Sequence, residues 1–582
     1  MNLYETMLER VRAALARLAE RGELPADLDL SAVTVEPPRD PAHGQMATNA
    51  ALVLARRARR RPLEIAERLA AELSALPEVA AARAAPPGFV NLVLHDRVWR
   101  EQIRTVLELG HDYGRCDLGR GERVDVEYCS ANPTGPLHVG HGRGTVVGDA
   151  LANLLAFTGW RVTREYYVND GGGQIEALAR SVYHRYRELL GDDPGPLPEG
   201  LYPLEELVPV ARRIVAEDGD RWLGRPESEW LDRFGRVAVE AMMARIREDL
   251  ERLGVRHDVF VSERALIEAG RIEEVVAALE ARGLVYTGTL PPPKGRPVED
   301  WEPAPQLLFR ASAFGDDIDR PLRRSNGAWT YFAADMAYHY DKFRRGHTVL
   351  IDVWGADHGG YVRRMEAAVA ALTEGRARLE VLLCQIVHLH ERGEPVRMSK
   401  RAGNIVWLRD VVERVGRDVF RFMMLTRKND APLDFDLEKA VEQSRDNPVF
   451  YVQYAHARIC SVFRHAQQAG IPVDLDTLRA AELERLRDPD ELALVRRMAD
   501  WPRVVAGAAR AREPHRIAFY LHELAGSFHS LWTRGKEDAT LRFLVADDPA
   551  VTRARLAMLA AVRVVIACGL GIMGVEPVEE LH

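Results

Sequence analysis

The sequence has little cysteine and almost no lysine. Its five cysteines are odd in number and scattered, and none forms a Cys-x-x-Cys pair, so we expect reduced thiols in a cytoplasmic protein. Only six of the 79 basic residues are lysine, and the rest are arginine. Because a compact ammonium differs from a planar guanidinium, each lysine that remains carries more information than usual. These lysines are Lys294, Lys342, Lys400, Lys428, Lys439 and Lys536.

Long apolar runs are also scarce. The longest uncharged one, Val564 to Val575, is too short to span a bilayer. The first residues, Met1 to Glu5, lack a basic region followed by an apolar one, so we expect no signal peptide and no membrane partner. A hydrophobic content of 47% in 582 residues predicts three or four globular domains. A net charge of −8 argues against indiscriminate coating of nucleic acid, although local basic patches can still bind RNA.

The usual phosphate-binding fingerprints are missing. The chain has no Gly-x-x-x-x-Gly-Lys-Ser/Thr, and the glycines from Gly140 to Gly144 have the wrong spacing for a dinucleotide site. If the protein uses ATP, it therefore does so without a P-loop.

A stretch that could replace a P-loop follows the predicted strand Arg123–Tyr128. Pro133, Gly135 and Pro136 force a turn, and residues 143–157 have helical spacing. The unit is therefore strand, turn and helix N-terminus, where free N–H groups and the helix dipole can hold phosphate. His138 and His141 lie at this turn. Two alternatives remain, namely metal ligation and ordinary turn histidines.

A second motif favours the nucleotide interpretation. Arg397-Met-Ser-Lys-Arg-Ala-Gly-Asn404 lies some 260 residues after the His-x-Gly-His of 138–141, and the pair resembles the two signatures of class I aminoacyl-tRNA synthetases. The surrounding Ala-Asn-Pro-Thr-Gly-Pro-Leu at 131–137, Tyr-Val-Asn-Asp at 167–170 and Trp-Gly-Ala-Asp-His at 354–358 narrow the match. Together they look like a bacterial arginyl-tRNA synthetase over nearly the whole chain.

This resemblance and the strand–helix alternation together predict an α/β fold. We expect a tRNA-contacting α+β domain at 1–110 and a Rossmann-like parallel-sheet catalytic domain at 120–430, with a helical insertion at about 185–265 between the two halves of its sheet. An all-α helical bundle at 445–582 is expected to bind the anticodon. Two local strands are also predicted, one near 32–35 and one at 329–335 that enters a helix.

The resemblance also implies roles for individual residues. His138, His141 and Lys400 would be catalytic. The residues implied to bind ATP are His138, Gly140, His141, His358, Met398, Ser399 and Lys400. Those implied to bind arginine are Glu127, Ser130, Asn132, Tyr331, Asp335 and Asp357.

The chemistry implied is adenylate formation, followed by transfer of the arginyl group to the terminal adenosine of a tRNA. A carboxylate is already ionised at neutral pH, so catalysis reduces to positioning and charge neutralisation on the phosphates. Magnesium is expected to arrive with ATP, without a protein metal site or a tightly bound cofactor. The expected partners are tRNA, L-arginine and ATP, and the chain is expected to be a monomer. Alternatives are a relative with another substrate and a non-catalytic RNA-binding paralogue.

Overall fold

The computed structural model describes residues 2–291, 302–396, 405–444 and 446–581. The N-terminal part is an α+β unit, and its elements in chain order are α1 (Leu3–Glu20), β1 (Val35–Glu36), β2 (Met46–Thr48), α2 (Ala50–Ala58), α3 (Pro62–Ser74), β3 (Val79–Ala85), β4 (Phe89–Leu94) and α4 (Asp96–Leu109). The four strands form an antiparallel sheet in the order β1-β2-β4-β3. The helices bury their apolar sides against this sheet and against each other.

The strand predicted near residues 32–35 begins later in the chain than expected. Only Val35 and Glu36 pair with a neighbouring strand. The side chain of Asn49 accepts a hydrogen bond from the N–H of Thr34 at 2.8 Å and donates to the carbonyl of Ala32 at 3.1 Å. These bonds satisfy backbone groups that a strand would otherwise pair with a neighbour.

The middle part of the chain contains eleven strands and eleven helices among its described residues. The strands are β5 (Arg123–Glu127), β6 (Arg161–Val168), β7 (Val259–Ser262), β8 (Val285–Gly288), β9 (Gln306–Phe309), β10 (Arg320–Arg323), β11 (Val349–Gly355), β12 (Arg378–Cys384), β13 (Val387–Glu391), β14 (Glu394–Pro395) and β15 (Leu433–Asp436). The helices are α5 (Val139–Phe157), α6 (Gly172–Leu189), α7 (Leu207–Asp218), α8 (Glu227–Arg252), α9 (Glu263–Glu268), α10 (Arg271–Glu280), α11 (Tyr331–Arg344), α12 (Val362–Thr373), α13 (Leu408–Val415), α14 (Arg417–Met424) and α15 (Leu437–Val441).

The main sheet is parallel throughout and has the order β12-β11-β5-β6-β7. The strand order reverses direction between β5 and β11, where Val349 lies opposite Val124. In open α/β sheets, ligands bind in the crevice at the carboxyl ends of the strands beside such a switch point. This confirms the predicted Rossmann-like architecture and indicates where a ligand is expected to bind.

Two sequence predictions about this region are wrong. Residues 329–335 are not a strand, because Thr330 caps α11 by accepting a hydrogen bond from the N–H of Ala333 and the helix begins at Tyr331. The helices α6 to α8 do not separate the halves of the sheet, because β7 continues the first half beyond β6. The segment between the halves instead carries the antiparallel sheet β10-β9-β8, which was not predicted from the sequence.

The C-terminal part is entirely helical over its described residues, as predicted. Its helices are α16 (Pro448–Gln468), α17 (Leu475–Arg479), α18 (Pro489–Ala499), α19 (Trp501–Ala511), α20 (His515–Glu537) and α21 (Pro549–Met573). By length and composition α21 could cross a membrane, but 78% of its most apolar window is buried in the fold. It packs against α4 and α5, so its apolar composition fits a core helix that joins all three parts of the chain.

Candidate active site

The turn after β5 has an unusual backbone. Cys129 and Ser130 both adopt positive φ angles, of 70° and 36°, in the left-handed region that side chains other than glycine rarely enter. This conformation directs the Ser130 hydroxyl to accept a hydrogen bond from the N–H of Tyr167 at 3.1 Å. Asn132 then donates to the side chain of Gln174 at 2.8 Å. The turn is therefore tied to the ends of β6 and α6.

The two histidines cap the first turn of α5. The N–H of Gly140 donates to Nδ1 of His138 at 3.1 Å, and the N–H of His138 donates to Nδ1 of His141 at 3.3 Å. Their rings stack with centroids 3.7 Å apart. Because both Nδ1 atoms accept, each neutral ring carries its proton on Nε2. The helix N-terminus thus combines its dipole with two imidazole N–H donors, which suits a phosphate.

Close packing explains the glycines of this turn. A Cβ at Gly140 would lie 3.0 Å from the ring of His138, and one at Gly142 would lie 2.5 Å from the ring of Phe420. The backbone of the turn also bonds to the segment before α13. Val139 donates to the carbonyl of Val406 at 3.1 Å, and Leu408 donates to that of Leu137 at 2.8 Å.

A cleft of about 900 Å³ opens over this turn. It is lined by the two histidines, by Asn132 and Gln174, and by Trp407 and residues 197–204. A volume of this size accommodates a nucleotide or a drug-sized ligand. The predicted ATP residues His138 and His141 therefore line one cleft, and Gly140 lies between them in the turn, whereas Met398, Ser399 and Lys400 lie outside the described residues.

Three further predicted residues lie just after β11 or at the start of α11. Nε2 of His358 lies 3.6 Å from Oδ2 of Asp357, and the side chains of Asp357 and His358 are 81% and 65% exposed. Tyr331, the first residue of α11, is 58% exposed. Its hydroxyl lies 4.0 Å from where a Cβ of Gly172 would be, so the ring reaches towards the glycine loop after β6.

Asp335 lies one turn further along α11 and accepts a hydrogen bond from the hydroxyl of Tyr361 at 2.6 Å. Burial raises the pKa of Asp335 to about 6. Glu263, at the start of α9, is its acidic neighbour. Burial, assisted by the negative charges of Asp335 and Asp170, raises the pKa of Glu263 to about 7. We call Asp335 and Glu263 the acidic slot, because two carboxylates with raised pKa values favour a bound cation.

Below the slot lies a buried charge cluster centred on Lys342. Its Nζ is 2.7 Å from Oε2 of Glu127, 3.0 Å from Oδ1 of Asp352 and 3.4 Å from Oδ1 of Asp125. His339 joins the cluster, with Nε2 2.7 Å from Oδ2 of Asp352 and Nδ1 2.8 Å from the carbonyl of Asp335. A carbonyl only accepts, so Nδ1 carries a proton. Although burial opposes charge on the ring, Asp352 raises the pKa of His339.

Sequence reasoning missed three of these residues. Glu263 has no local signal, because α9 reaches the site only through the pairing of β6 with β7. Tyr361 likewise arrives through the fold. Lys342 had two signals that could have identified it. It is one of the six lysines, and it follows Asp335 by seven residues, which places both on one face of a helix.

A parallel sheet with this switch point and a His-x-Gly-His helix start define a class I aminoacyl-tRNA synthetase. Family models agree and go further. The model for the class I (R) tRNA synthetase catalytic domain matches residues 102–443, that for the arginyl-tRNA synthetase N-terminal domain 5–94, and that for the DALR anticodon-binding domain 452–581. The first covers more than half of the chain, so the chain belongs to the arginyl-tRNA synthetase family.

Individual proteins give the same result. The chain is 57% identical to an arginine–tRNA ligase of Cereibacter sphaeroides over 582 residues, and 56% identical to one of Roseobacter denitrificans, with all of each chain covered. Among solved structures, the arginyl-tRNA synthetase of Thermus thermophilus aligns over both whole chains with a TM-score of 0.75 and 22% identity. That structural likeness supports the fold.

Proposed function

We propose that this enzyme activates L-arginine with ATP and transfers the arginyl group to the terminal adenosine of its tRNA. Membership of the family carries the assignment as a tRNA-arginylating ligase. The single observation that supports arginine as the amino acid is the acidic slot. A guanidinium binds carboxylates through paired N–H groups, and Asp335 and Glu263 offer two such acceptors with raised pKa values.

ATP is placed over the N-terminus of α5. The Nε2–H groups of His138 and His141 and the dipole of α5 would neutralise charge that develops on the α-phosphate as the arginine carboxylate attacks and pyrophosphate leaves. Removal of one such donor typically costs about 3–4 kcal/mol of transition-state stabilisation. Gly140 keeps the turn narrow, and His358 at the end of β11 is assigned to the adenosine.

Lys400, Ser399 and Met398 are assigned to the opposite side of the triphosphate. They follow the strand pair β13 and β14 and precede Val406, whose carbonyl is bonded to the His138 turn. Magnesium would be carried by the phosphates of ATP. The buried cluster does not suit a resident metal ion, because the ammonium of Lys342 already lies between Glu127 and Asp352.

Arginine is placed with its guanidinium in the acidic slot and its α-amino end towards the turn after β5. Asp335 and Glu263 would bind its guanidinium, and the ring of Tyr331 would cover it. Glu127 would bind the α-ammonium. Ser130, Asn132 and Asp357 are assigned to the head group, because the first two form the turn that joins β5 to α5 and the third lies in the turn just after β11.

We further propose three domains, at 1–110, 120–430 and 445–582, in a cytoplasmic monomer. The outer corner of the tRNA is assigned to the first and the anticodon to the third. The arginine patch at 56–61 would contact phosphate, although Arg57 pairs with Asp27 and Arg61 with Glu64, which leaves the exposed Arg56 and Arg59 as its main contributors.

ATP–pyrophosphate exchange tests this proposal. The enzyme is assayed with each of the twenty amino acids while tRNA is present. We expect exchange with arginine alone, and an Asp335→Asn enzyme should lose it at low arginine concentrations. Exchange stimulated by lysine or glutamine instead would contradict the assignment of the slot.

A further inference from the structure

We propose that Lys342 is a positioning residue for arginine binding, whose ammonium keeps the carboxylate of Glu127 ionised and fixed at the end of β5 so that it can bind the substrate α-ammonium. The proposed role of Glu127 is a premise of this step. Lys342 itself would not touch the substrate, since its side chain is fully buried.

The geometry around Lys342 is that of a complete ammonium site. An ammonium has three N–H donors, and three carboxylates lie within 3.4 Å of Nζ, from Glu127, Asp352 and Asp125. The ring of Tyr338 covers the same nitrogen, with its centroid 4.5 Å away. A buried lysine is tolerated only when its charge is compensated in this way.

A metal ion is the alternative cation for this cluster. One ligand atom each from Glu127, His339 and Asp352 would lie within 4.8 Å of the others. However, both carboxylates already contact the lysine, and His339 bonds to Asp352 and to the carbonyl of Asp335. The lysine and the histidine therefore supply the positive charge that a metal would bring.

The ammonium matters because Glu127 is only 6% exposed. Burial raises the pKa of Glu127, the charge of Lys342 lowers it, and the negative charge of Asp352 raises it again. Without Lys342, burial and the negative charge of Asp352 would favour the protonated form of Glu127, which cannot pair with an ammonium. The charged or titratable groups that face this carboxylate or its neighbours include Asp125 on β5, Glu165 on β6, Asp352 on β11, Asp335 and His339 on α11, and Arg345 and His347 just after it.

Lys342→Met tests the proposal, because methionine keeps an unbranched apolar side chain and removes the charge. The aminoacylation KM for arginine is compared with the inhibition constant of 5-guanidinopentanoate, which is arginine without its α-amino group. Both ligands use the acidic slot. The KM for arginine divided by the inhibition constant of 5-guanidinopentanoate therefore isolates the α-ammonium contact. We expect the ratio of the KM for arginine to this inhibition constant to rise about tenfold or more at pH 7, which corresponds to about 1.4 kcal/mol. The rise should become smaller as the pH is increased and Glu127 ionises. The kcat at saturating arginine should stay within about threefold of wild type.

If the role of Lys342 were merely structural, Lys342→Met would weaken the binding of both ligands equally, or it would lower only kcat and the melting temperature. Either result overturns the proposal. Lys342→Arg retains the charge and should keep the ratio near wild type. If Lys342→Met does not fold, the charge-balanced Lys342→Met/Asp352→Asn enzyme is compared with Asp352→Asn, and the same rise in ratio is expected. Glu127→Gln separates the premise from the proposal. If Glu127→Gln leaves the ratio unchanged, the role of Glu127 is refuted. If Glu127→Gln changes the ratio but Lys342→Met does not, only the role of Lys342 is refuted.

Discussion

The acidic slot predicts that arginine binding weakens as the pH falls below about 7. The pKa of Glu263 is raised to about 7 and that of Asp335 to about 6, chiefly by burial. A guanidinium binds the ionised forms, so protons compete with the substrate, and the loss grows as the pH falls through these two values. At pH 6, roughly one Glu263 in eleven and one Asp335 in two would be ionised. The KM for arginine should therefore rise about twentyfold between pH 8.5 and pH 6.

The assay is the KM for arginine in aminoacylation at half-unit pH intervals, with the KM for ATP as the control for effects elsewhere. Glu263→Gln should remove the component near pH 7, weaken binding at pH 8.5 and leave a shallower dependence near pH 6. Losing one hydrogen-bonded charge contact costs about 1.5–3 kcal/mol, or about 10–150-fold in KM. A wild-type KM that is constant from pH 8.5 to pH 6, or a slope unchanged by Glu263→Gln, would refute the reasoning.

Three further predictions concern other parts of the molecule. His141→Asn should retain an acceptor for the N–H of His138 while it removes the Nε2–H donor, so we expect kcat to fall about 100- to 1000-fold with an unchanged melting temperature. Equal losses of activity and stability would point to a capping role alone. Lys400→Ala should lower kcat far more than it raises the KM for arginine, and undiminished aminoacylation would refute its role at the phosphates. Asp149→Asn removes the carboxylate that pairs with the buried Arg421 and should lower the free energy of unfolding in urea by about 3 kcal/mol. A change under about 1 kcal/mol would show that the hydrogen bonds from Arg421 to the carbonyls of Met573 and Leu253 are enough to stabilise its buried charge.

The sequence predicted those features of the site that depend on local chemistry. Proline and glycine after an alternating strand predicted the turn that carries His138 and His141, because proline lacks the N–H that regular structure needs and glycine destabilises helices and strands. The aromatic residues at 329–335 favour a strand by local propensity, and the prediction there was therefore wrong. The Thr330 cap and the buried side of α11 stabilise a helix instead.

Long-range partners could not be predicted from local patterns. Lys342 meets Glu127 across 215 residues, and Glu263 reaches the slot only because β7 pairs with β6. The pKa values of Asp335 and Glu263 likewise depend on burial, which the whole fold determines. Such contacts leave no periodicity in the sequence, although the scarcity of lysine made Lys342 conspicuous.

The most direct test is a crystal structure with a non-hydrolysable analogue of arginyl-adenylate. We predict that its phosphate lies within hydrogen-bond distance of His138 or His141 at the start of α5, and that its guanidinium contacts Asp335 and Glu263. An adenylate bound elsewhere, or one whose side chain points away from Asp335, would contradict the proposed site.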